Sequence, residues 1–233
     1  MFLAVTGTVK GAPDAVVRGL HSVEDQTHKD YEHTIVCVDP QTRGAAWALH
    51  TRRSKVLEPV SPDASTSENL LSIWRALPDE TPIVWLDGDD WLAVPEALAI
   101  VSRAHEEGAW VTYGSFITSM GQAGFCAPSS KLCRREVWRA SHLKTFRAGL
   151  VKAMRDEDFR DADGSYSRVV VDLRVMFACL EMAPPGRARF IPNVLCVYNL
   201  PHSFTLNASS EERKHERSEE IRVRAFDPYP EWK

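Results

Sequence analysis

Hydrophobic and polar positions alternate along the first half of the chain in a way that predicts strands and helices in turn. The apolar runs FLAVTG, HTIVCVD, PIVWL and AWVTYGSF each have the length of a buried strand. Between them, apolar residues recur every three or four positions, which is the spacing of an amphipathic helix. Up to about residue 115, the pattern therefore predicts successive strand–helix units on a largely parallel sheet.

Three of the predicted helices carry start signals. Pro13 lies near the first turn of one helix, and Pro95 opens another. Ser65 and Glu68 have the spacing of a capping box, in which each side chain binds the backbone N–H of the other residue. The residues expected to face the core are Val16, Leu20 and Val23 in the first helix, Leu70, Trp74 and Leu77 in the second, and Leu98, Val101 and Ala104 in the third.

The second half of the chain has a less regular pattern. We expect mixed helices over residues 133–154, and then a solvated turn in the acidic loop RDEDFRDADGSY. The helix RVVVDLRVMFACLEMA, the strand ARFIPNVLCVYN and the terminal helix SSEERKHERSEEIRVR follow. Acidic and basic residues offset one another in the terminal helix, so we expect it to be solvated and to have no binding role.

Composition fits one large globular domain with at most a small appendage, since 44% of the 233 residues are hydrophobic and 26% are charged. The net charge of -4 argues against a protein that coats nucleic acid, although a local basic groove stays open. The five cysteines are an odd number without C-x-x-C spacing, which indicates a reducing compartment and no structural zinc.

Neither a targeting segment nor a membrane segment is evident in the sequence. The opening MFLAV is too short for a signal-peptide core. No apolar run approaches the roughly 18 residues of a membrane span. We therefore expect a cytoplasmic protein.

Polar residues follow the predicted strands at the edge where open α/β sheets bind ligands. Asp87, Asp89 and Asp90 come directly after IVWL, Asp39 follows TIVCV, and Thr6 lies at the end of the first strand. Carboxylates at positions i and i+2 can hold a hard divalent cation, which would also neutralise the phosphate oxygens of a ligand. The alternative is an acidic turn at the start of the next helix, since carboxylates favour helix N-termini.

The motifs resemble, in order and spacing, those of the family 2 glycosyltransferases with the GT-A fold. FLAVTGTVKGAPDAVVRGLHSVEDQTHKDYEHTIVCVD is similar to their opening strand, helix and second strand, and IVWLDGDDWLAVPEAL is similar to their D-x-D segment. SHLKTFRAGL, VVVDLRVMFACLEMA and FIPNVLCVYN resemble later blocks, so the resemblance covers roughly residues 2–200. It implies an α/β GT-A (Rossmann-like) fold, with a mostly parallel central sheet flanked by helices and a more irregular C-terminal, acceptor-side half.

The resemblance also implies a domain organisation and an activity. Residues 1–205 would form the GT-A domain, with a nucleotide-sugar-binding half at 1–115 and an acceptor-side half at 116–205, and residues 206–233 would be a C-terminal helix and tail. The activity would be an inverting transfer of a sugar from a nucleotide-diphosphate donor, with a UDP-sugar favoured, to a hydroxyl acceptor. Mg²⁺ or Mn²⁺ would be the cofactor.

Matched residue by residue, the resemblance assigns donor and metal contacts. Asp39 would contact the nucleoside base, and Asp87 and Asp89 would form the D-x-D that contacts the ribose and the metal. Thr6 would lie at the same nucleotide-sugar site. His202 follows VYNLP, where some members of this fold supply a further metal or diphosphate ligand. A loop histidine without that role is the alternative.

An inverting transfer needs a base that takes the acceptor proton, and the resemblance implies a carboxylate in the second half of the chain. Asp172 is the only acid in the apolar run 169–180, where burial would raise its pKa, so we interpret it as this base. Pairing with Arg168 or Arg174 is the structural alternative.

Two basic residues, Lys144 and Arg147 in HLKTFR, are candidates for binding phosphate or acceptor. Their three-residue spacing on a helix fits an exposed basic face equally well.

Other protein classes fit the sequence less well. A haloacid-dehalogenase-type phosphatase also has D-x-D after a strand, but it expects Thr or Val where this chain has Trp91. A nucleotidyltransferase would need a more glycine-rich, basic loop than TGTVKGAPD. Two alternatives within the fold stay open: a phage-type DNA glycosyltransferase acting on hydroxymethylated bases, and a non-catalytic domain that binds nucleotide sugar. The acceptor is thus a glycan, a protein or modified DNA.

Overall fold

A computed structural model describes residues 1–131 and 133–232, with the side chains of residues 204 and 205 excepted. The strands in this part of the chain are β1 (Leu3–Val9), β2 (Tyr31–Cys37), β3 (Ser54–Leu57), β4 (Pro82–Trp85), β5 (Trp91–Leu92), β6 (Val111–Thr118), β7 (Lys144–Arg147) and β8 (Ala188–Tyr198). The helices are α1 (Pro13–Glu24), α2 (Pro40–Trp47), α3 (Thr66–Trp74), α4 (Ala97–Glu106), α5 (Ala148–Lys152), α6 (Val171–Met182), α7 (Phe204–Asn207) and α8 (Ser210–Arg224).

All eight strands belong to one sheet, in the order β3-β2-β1-β4-β7-β6-β8-β5. β1 lies parallel to β2 and to β4, β2 lies parallel to β3, and β6 lies parallel to β8. β7 is antiparallel to both of its neighbours, and β5 is antiparallel to β8. The mostly parallel α/β sheet that the sequence predicts is therefore confirmed.

Apolar helix faces cover both sides of the sheet. α1, α2 and α4 pack on one side, where the predicted inward residues Val16, Leu20 and Val23 are buried. α3, α5 and α6 pack on the other side around Trp74, whose Nε1–H donates to the Thr6 hydroxyl over 2.8 Å. Burial of such side chains is the main stabilising contribution to the fold.

The capping box predicted at the start of α3 is present. The Ser65 side chain accepts the N–H of Glu68 over 3.1 Å, and the Glu68 carboxylate accepts the N–H of Ser65 over 2.8 Å. α2 and β3 were not predicted. Asp39 begins α2, since its Oδ1 accepts the N–H of Thr42 over 2.9 Å.

The prediction of helices over residues 133–154 is wrong in part, because residues Lys144–Arg147 form strand β7. β7 inserts between β4 and β6, which are both distant from it in the chain. Pairing between segments far apart in the chain produces no periodic pattern in the local sequence. The four residues KTFR therefore do not indicate a strand. Only the short helix α5 follows.

The terminal helix is largely exposed, as expected, and the acidic loop is exposed in part, but both also contribute to a buried charge cluster. Arg174 is fully buried, and its Nη2 lies 2.8 Å from Asp161 Oδ1 in the loop and 2.6 Å from Glu219 Oε2 on α8. Its Nη1 also donates to the Asp158 carbonyl over 2.9 Å. This buried charge cluster attaches α8 to α6, because buried charges are stable only when they are paired and hydrogen-bonded.

Neither a disulfide nor a membrane-spanning helix occurs among the described residues. All five cysteines are free thiols, and four of them are buried. Within residues 1–131 and 133–232, no helix combines the length and the apolar character needed to cross a membrane.

The buried charge cluster leads to a prediction about stability. We expect Arg174→Leu to lower the free energy of unfolding by about 3 kcal/mol, because Asp161 and Glu219 would lose the guanidinium between them. Urea denaturation measures this loss. The control Arg103→Leu, at an exposed position on α4, should change stability by less than about 0.5 kcal/mol. Equal losses in both variants would contradict a stabilising role for the cluster.

Candidate active site

A cleft of about 580 Å³ opens beyond the carboxyl ends of β1, β4, β6 and β8, which all run in the same direction. This is the edge where the sequence predicts ligand binding. The D-x-D segment enters the cleft directly after β4, and α6, α8 and the loop after β8 close its other sides. Eight of its described lining residues are Thr8, Asp87, Asp89, Lys144, Asp172, His202, Glu216 and Glu220.

Gly88 lets the D-x-D segment lie close against the ends of β1 and β2. A Cβ at this position would come within 2.7 Å of the Val9 Cβ and 2.8 Å of the Ile35 Cδ1. A larger residue would push the two flanking aspartates away from the sheet. The acidic residues also do not cap α4, which begins at Ala97, so the alternative of a helix-capping turn does not describe them.

Asp87 is held by two neighbours. The Trp85 Nε1–H donates to Asp87 Oδ1 over 2.8 Å, and the Lys144 Nζ lies 3.6 Å from Asp87 Oδ2. Burial would raise the pKa of Asp87, but the charge of Lys144 and the nearby His142 ring outweigh it, so the pKa lies below its usual range. Asp87 is therefore ionised.

Lys144 occupies this position because of strand pairing. It lies directly opposite Trp85 in the antiparallel pair of β4 and β7, so both side chains are on the same face of the sheet. Its Nζ lies 4.2 Å from the centroid of the Trp85 ring, and only 2% of the residue is exposed. Lys144 is thus a buried cation at the edge of the cleft.

Asp90 is buried behind the cleft, with 1% of its surface exposed. Its Oδ1 accepts the backbone N–H of Asn199 over 2.8 Å, which joins the end of β4 to the end of β8. Its Oδ2 has no hydrogen-bond partner. The nearest ring nitrogen, His142 Nε2, lies 3.5 Å from this oxygen and 3.8 Å from Asp87 Oδ2.

These residues fit a divalent cation. Asp87, Asp90 and His142 each offer a ligand atom within 4.8 Å of the others. Burial and then the charge of Asp87 raise the pKa of Asp89 to about 7, and the same causes raise that of Asp90. The single ammonium of Lys144 does not balance the charge of the three aspartates at positions 87, 89 and 90, and Asp90 Oδ2 has no hydrogen-bond partner. Carboxylate oxygens are common ligands of hard divalent cations, and an imidazole is a common ligand of transition-metal ions.

Five of the residues predicted from the sequence line the cleft together: Asp87, Asp89, Lys144, Asp172 and His202. Asp87 and Asp89 come from the end of β4, Lys144 from β7 and Asp172 from the first turn of α6. His202 is exposed and ends the turn Leu200–His202 after β8. Residues from both halves of the chain thus meet at one site.

Asp172 differs from its prediction in one respect, since it is partly exposed. Burial is therefore not a reason to assign it as a base. The two arginines considered as structural partners of Asp172 bind other groups. Arg174 pairs with Asp161, and Arg168 donates to the Asp63 carbonyl. Val170 precedes the helix with φ 48° and ψ 29°, a left-handed conformation that is unfavourable for a β-branched residue. Backbone strain of this kind occurs preferentially at functional sites.

Arg147 is not among the described residues that line the cleft. Our expectation of a helix here is wrong, and the three-residue spacing in a strand turns Lys144 and Arg147 to opposite faces. The Arg147 Nη1 lies 2.5 Å from Glu80 Oε2, and its guanidinium packs over Trp110. The prediction that Arg147 binds phosphate or acceptor therefore has no geometric support.

Thr6 and Asp39 also lie outside the described lining of the cleft. Thr6 is buried and accepts a hydrogen bond from Trp74, while Thr8, two residues further on, reaches the cleft. Asp39 Oδ2 accepts the backbone N–H of Gly11 over 2.6 Å, which fixes the loop between β1 and α1. A contact between Asp39 and a nucleoside base stays a prediction.

Several residues that line the cleft were not predicted from the sequence. The rings of Phe116, His142 and Tyr198 pack against one another, with centroids 5.1 to 5.9 Å apart. Trp138 lines the cleft as well, as do Glu216 and Glu220 on α8, the helix to which we assigned no binding role. The four-residue spacing of the two glutamates was visible in the sequence, but nothing indicated that this face of the helix turns inward.

The sheet order and the acidic cleft at the strand ends define the class of protein: the chain has the GT-A glycosyltransferase fold. Two of the proteins with similar solved structures are S. aureus TarS and a mannosyltransferase, and their structures described here are 12% to 14% identical in sequence to this chain. S. aureus TarS 1-349 aligns at a TM-score of 0.65 over 97% of this chain and 81% of its own. The same fragment in complex with UDP-GlcNAc aligns at 0.62, over 96% and 81%.

The second protein is the mannosyltransferase PcManGT from Pyrobaculum calidifontis, solved in complex with GDP-Man and Mn²⁺. It aligns at a TM-score of 0.60 over 97% of this chain and 65% of its own. By sequence, no protein-family profile and no curated protein matches the chain. The GT-A fold implied by the sequence motifs is thus confirmed by structure.

The buried lysine leads to a second prediction about stability. With metal removed by chelator, we expect Lys144→Met to lower the free energy of unfolding by about 3 kcal/mol, because Asp87 and its acidic neighbours would lose their buried cation. The control Lys152→Met removes a surface pair with Asp79 and should cost less than about 1 kcal/mol. Denaturation of both variants in EDTA measures the difference. A loss no larger than that of the control would contradict a role for Lys144 in holding the acidic cluster.

Proposed function

We propose that the chain is an inverting, family 2-type glycosyltransferase that moves a sugar from a nucleotide-diphosphate sugar to a hydroxyl acceptor. The observation that carries this proposal is that the D-x-D carboxylates of Asp87 and Asp89 share one cleft with the carboxylate of Asp172. A sugar transfer needs two functions, stabilisation of a diphosphate leaving group and removal of a proton. Residues suited to each function line this cleft.

The donor side would be the edge formed by β1, β4 and β7. Asp87 and Asp89 would hold Mg²⁺ or Mn²⁺ next to Asp90 and His142, whose ligand atoms cluster with that of Asp87, and His202 would be a further ligand at the rim. The ion would act as a Lewis acid that neutralises the charge developing on the diphosphate. Lys144 adds a fixed positive charge near the same oxygens, as lysine does at many phosphate sites.

The nucleoside would lie beyond Asp87 on the same edge, with its base near Asp39 at the end of β2. We favour a UDP-sugar as the donor. The similar structures were solved with UDP-GlcNAc in TarS and with GDP-Man in the mannosyltransferase, so uridine and guanosine diphosphate sugars are the first donors to test.

Asp172 would take the acceptor proton. The acceptor oxygen forms a bond to the anomeric carbon on the side opposite the diphosphate, the bond from that carbon to the diphosphate oxygen breaks, and the configuration inverts. The hydroxyl proton passes to the Asp172 carboxylate.

Donor binding is the first test. We expect calorimetry to detect binding of UDP, GDP, UDP-GlcNAc or GDP-mannose in Mn²⁺ and at least a tenfold weakening in EDTA. Asp89→Ala should weaken binding by a similar factor, because it removes a ligand of the ion. Asp14→Ala, at an exposed position on α1, is the control. If folded wild-type protein binds none of these nucleotides, the proposed function is wrong.

The role of the base has a separate test. We expect Asp172→Asn to slow hydrolysis of the bound sugar nucleotide by water about 10² to 10⁴-fold, which is the usual contribution of a positioned base. The dissociation constant for the nucleoside diphosphate should stay unchanged. Asp163→Asn, in an exposed loop, serves as the control. Less than a threefold effect on hydrolysis would remove Asp172 from the mechanism.

A further inference from the structure

Helix α8 forms one wall of the cleft. Glu216 and Glu220 are four residues apart, so both lie on the face that lines the cleft. Glu219 lies between them in the sequence but points to the core, where it pairs with the buried Arg174. Ser209 caps the start of α8 by accepting the N–H of Glu212 over 3.2 Å. The two glutamates are thus presented by a helix that is fixed at its start and along its buried face.

The carboxylates on this wall are close enough to influence one another. Burial, and then the charges of Asp172 and Glu220, raise the pKa of Glu216. Glu220 accepts from the Arg224 guanidinium over 2.8 Å, so it already has a partner on its own helix. The acceptor side of the cleft, next to Asp172, is therefore rich in hydrogen-bond acceptors and carries negative charge.

Charge in the cleft is unbalanced. On the acceptor side its described lining carries three carboxylates, those of Asp172, Glu216 and Glu220, and the permanently charged cations of the whole described lining are Lys144 and Arg168. Lys144 is paired with Asp87, and the Arg168 guanidinium donates to the Asp63 carbonyl. Proteins bind nucleic acids and other polyanions through clustered lysine and arginine side chains. The arginines of α8 that adjoin Glu216 and Glu220, which are Arg213, Arg217 and Arg224, line a separate groove and are not part of the described lining of the cleft. A polyphosphate chain would enter this cleft beside negative charge.

Aromatic rings lie beside the same carboxylates. Phe116, Trp138 and Tyr198 line the cleft and are partly exposed there. A sugar ring has an apolar face of C–H groups and an edge of hydroxyl donors. An aromatic side chain complements the apolar face, and a carboxylate accepts from the hydroxyl edge. Both kinds of group are therefore present where the acceptor must approach Asp172.

We propose that the acceptor is an uncharged saccharide, bound with its ring against Trp138 or Tyr198 and its hydroxyls against Glu216 and Glu220, and that the cleft excludes polyanionic acceptors. This inference rests on the proposed function, because it concerns the second substrate of the same site. It decides between the acceptors that the sequence left open, since it selects a glycan hydroxyl over the hydroxymethylated bases of DNA.

The proposal is tested with two sets of acceptors under one assay. Wild-type protein with Mn²⁺ and its sugar nucleotide is incubated with p-nitrophenyl glycosides of common neutral hexoses and N-acetylhexosamines, or with a duplex containing hydroxymethylcytosine. We expect transfer to at least one glycoside, at a rate that changes less than twofold between 50 and 200 mM salt, and no transfer to the duplex. Binding to a polyanion would instead weaken steeply with salt.

The outcomes separate this inference from the proposed function. Hydrolysis of the sugar nucleotide without any acceptor tests the proposed function alone, and its absence together with absent nucleotide binding overturns that function. If hydrolysis occurs but sugar goes only to the duplex, or to none of the glycosides, the inference on the acceptor is overturned while the transferase stands.

Variants of α8 test the residues themselves. We expect Glu216→Gln to raise the KM for the accepted glycoside roughly tenfold with little change in kcat, because a charged hydrogen-bond acceptor becomes a neutral one. Glu216→Lys should make the enzyme sensitive to inhibition by dextran sulfate, which should not inhibit the wild type. Glu211→Gln, at an exposed position in the first turn of α8, is the matched control, and melting temperatures verify that all variants fold. An unchanged KM in Glu216→Gln would remove α8 from the acceptor site.

Discussion

The ion pair between Lys144 and Asp87 is the interaction on which the site depends. Three aspartates within four positions at the end of β4 repel one another, and burial makes that repulsion stronger. The ammonium of Lys144, held over Trp85 by the pairing of β7 with β4, supplies a positive charge that needs no ligand to bring it. The antiparallel strand in an otherwise parallel region is therefore what makes the acidic edge compatible with a folded sheet.

Much of the fold is visible in the sequence, because its signals are local. The apolar face of α1, the capping box at Ser65 and the aspartates after β4 each depend on residues a few positions apart. The positions of β7 and α8 depend on partners far away in the chain. Their local patterns therefore did not predict a strand at β7 or the place of α8 beside the cleft. HLKTFR indicates a strand only when β4 and β6 are known to lie beside it, and both Lys144 at the start of β7 and His142 just before it line the cleft.

Two parts of the chain supply the two sides of the cleft. The strand ends that carry Asp87 and Asp89 would face the donor, and this half contains most of the motifs shared with the GT-A fold. The side next to Asp172 is built from α6, α8 and the aromatic residues Phe116 on β6, Tyr198 on β8 and Trp138. At 12% to 14% sequence identity, the TarS and mannosyltransferase structures establish the fold of this chain. The chemistry of the acceptor side can be inferred only from the residues of this chain.

α8 divides two tasks between neighbouring positions. Glu219 holds the helix to the core through Arg174, whereas Glu216 and Glu220 face the cleft and Arg224 binds Glu220 from the same helix. Mutations at the facing positions can therefore accumulate without loosening the attachment. With the acceptor site proposed for α8, substitutions at these two positions would alter the acceptor while the sheet and the proposed donor edge stay unchanged. The charged, largely exposed helix α8 is therefore the element in which this chain would tolerate change most easily.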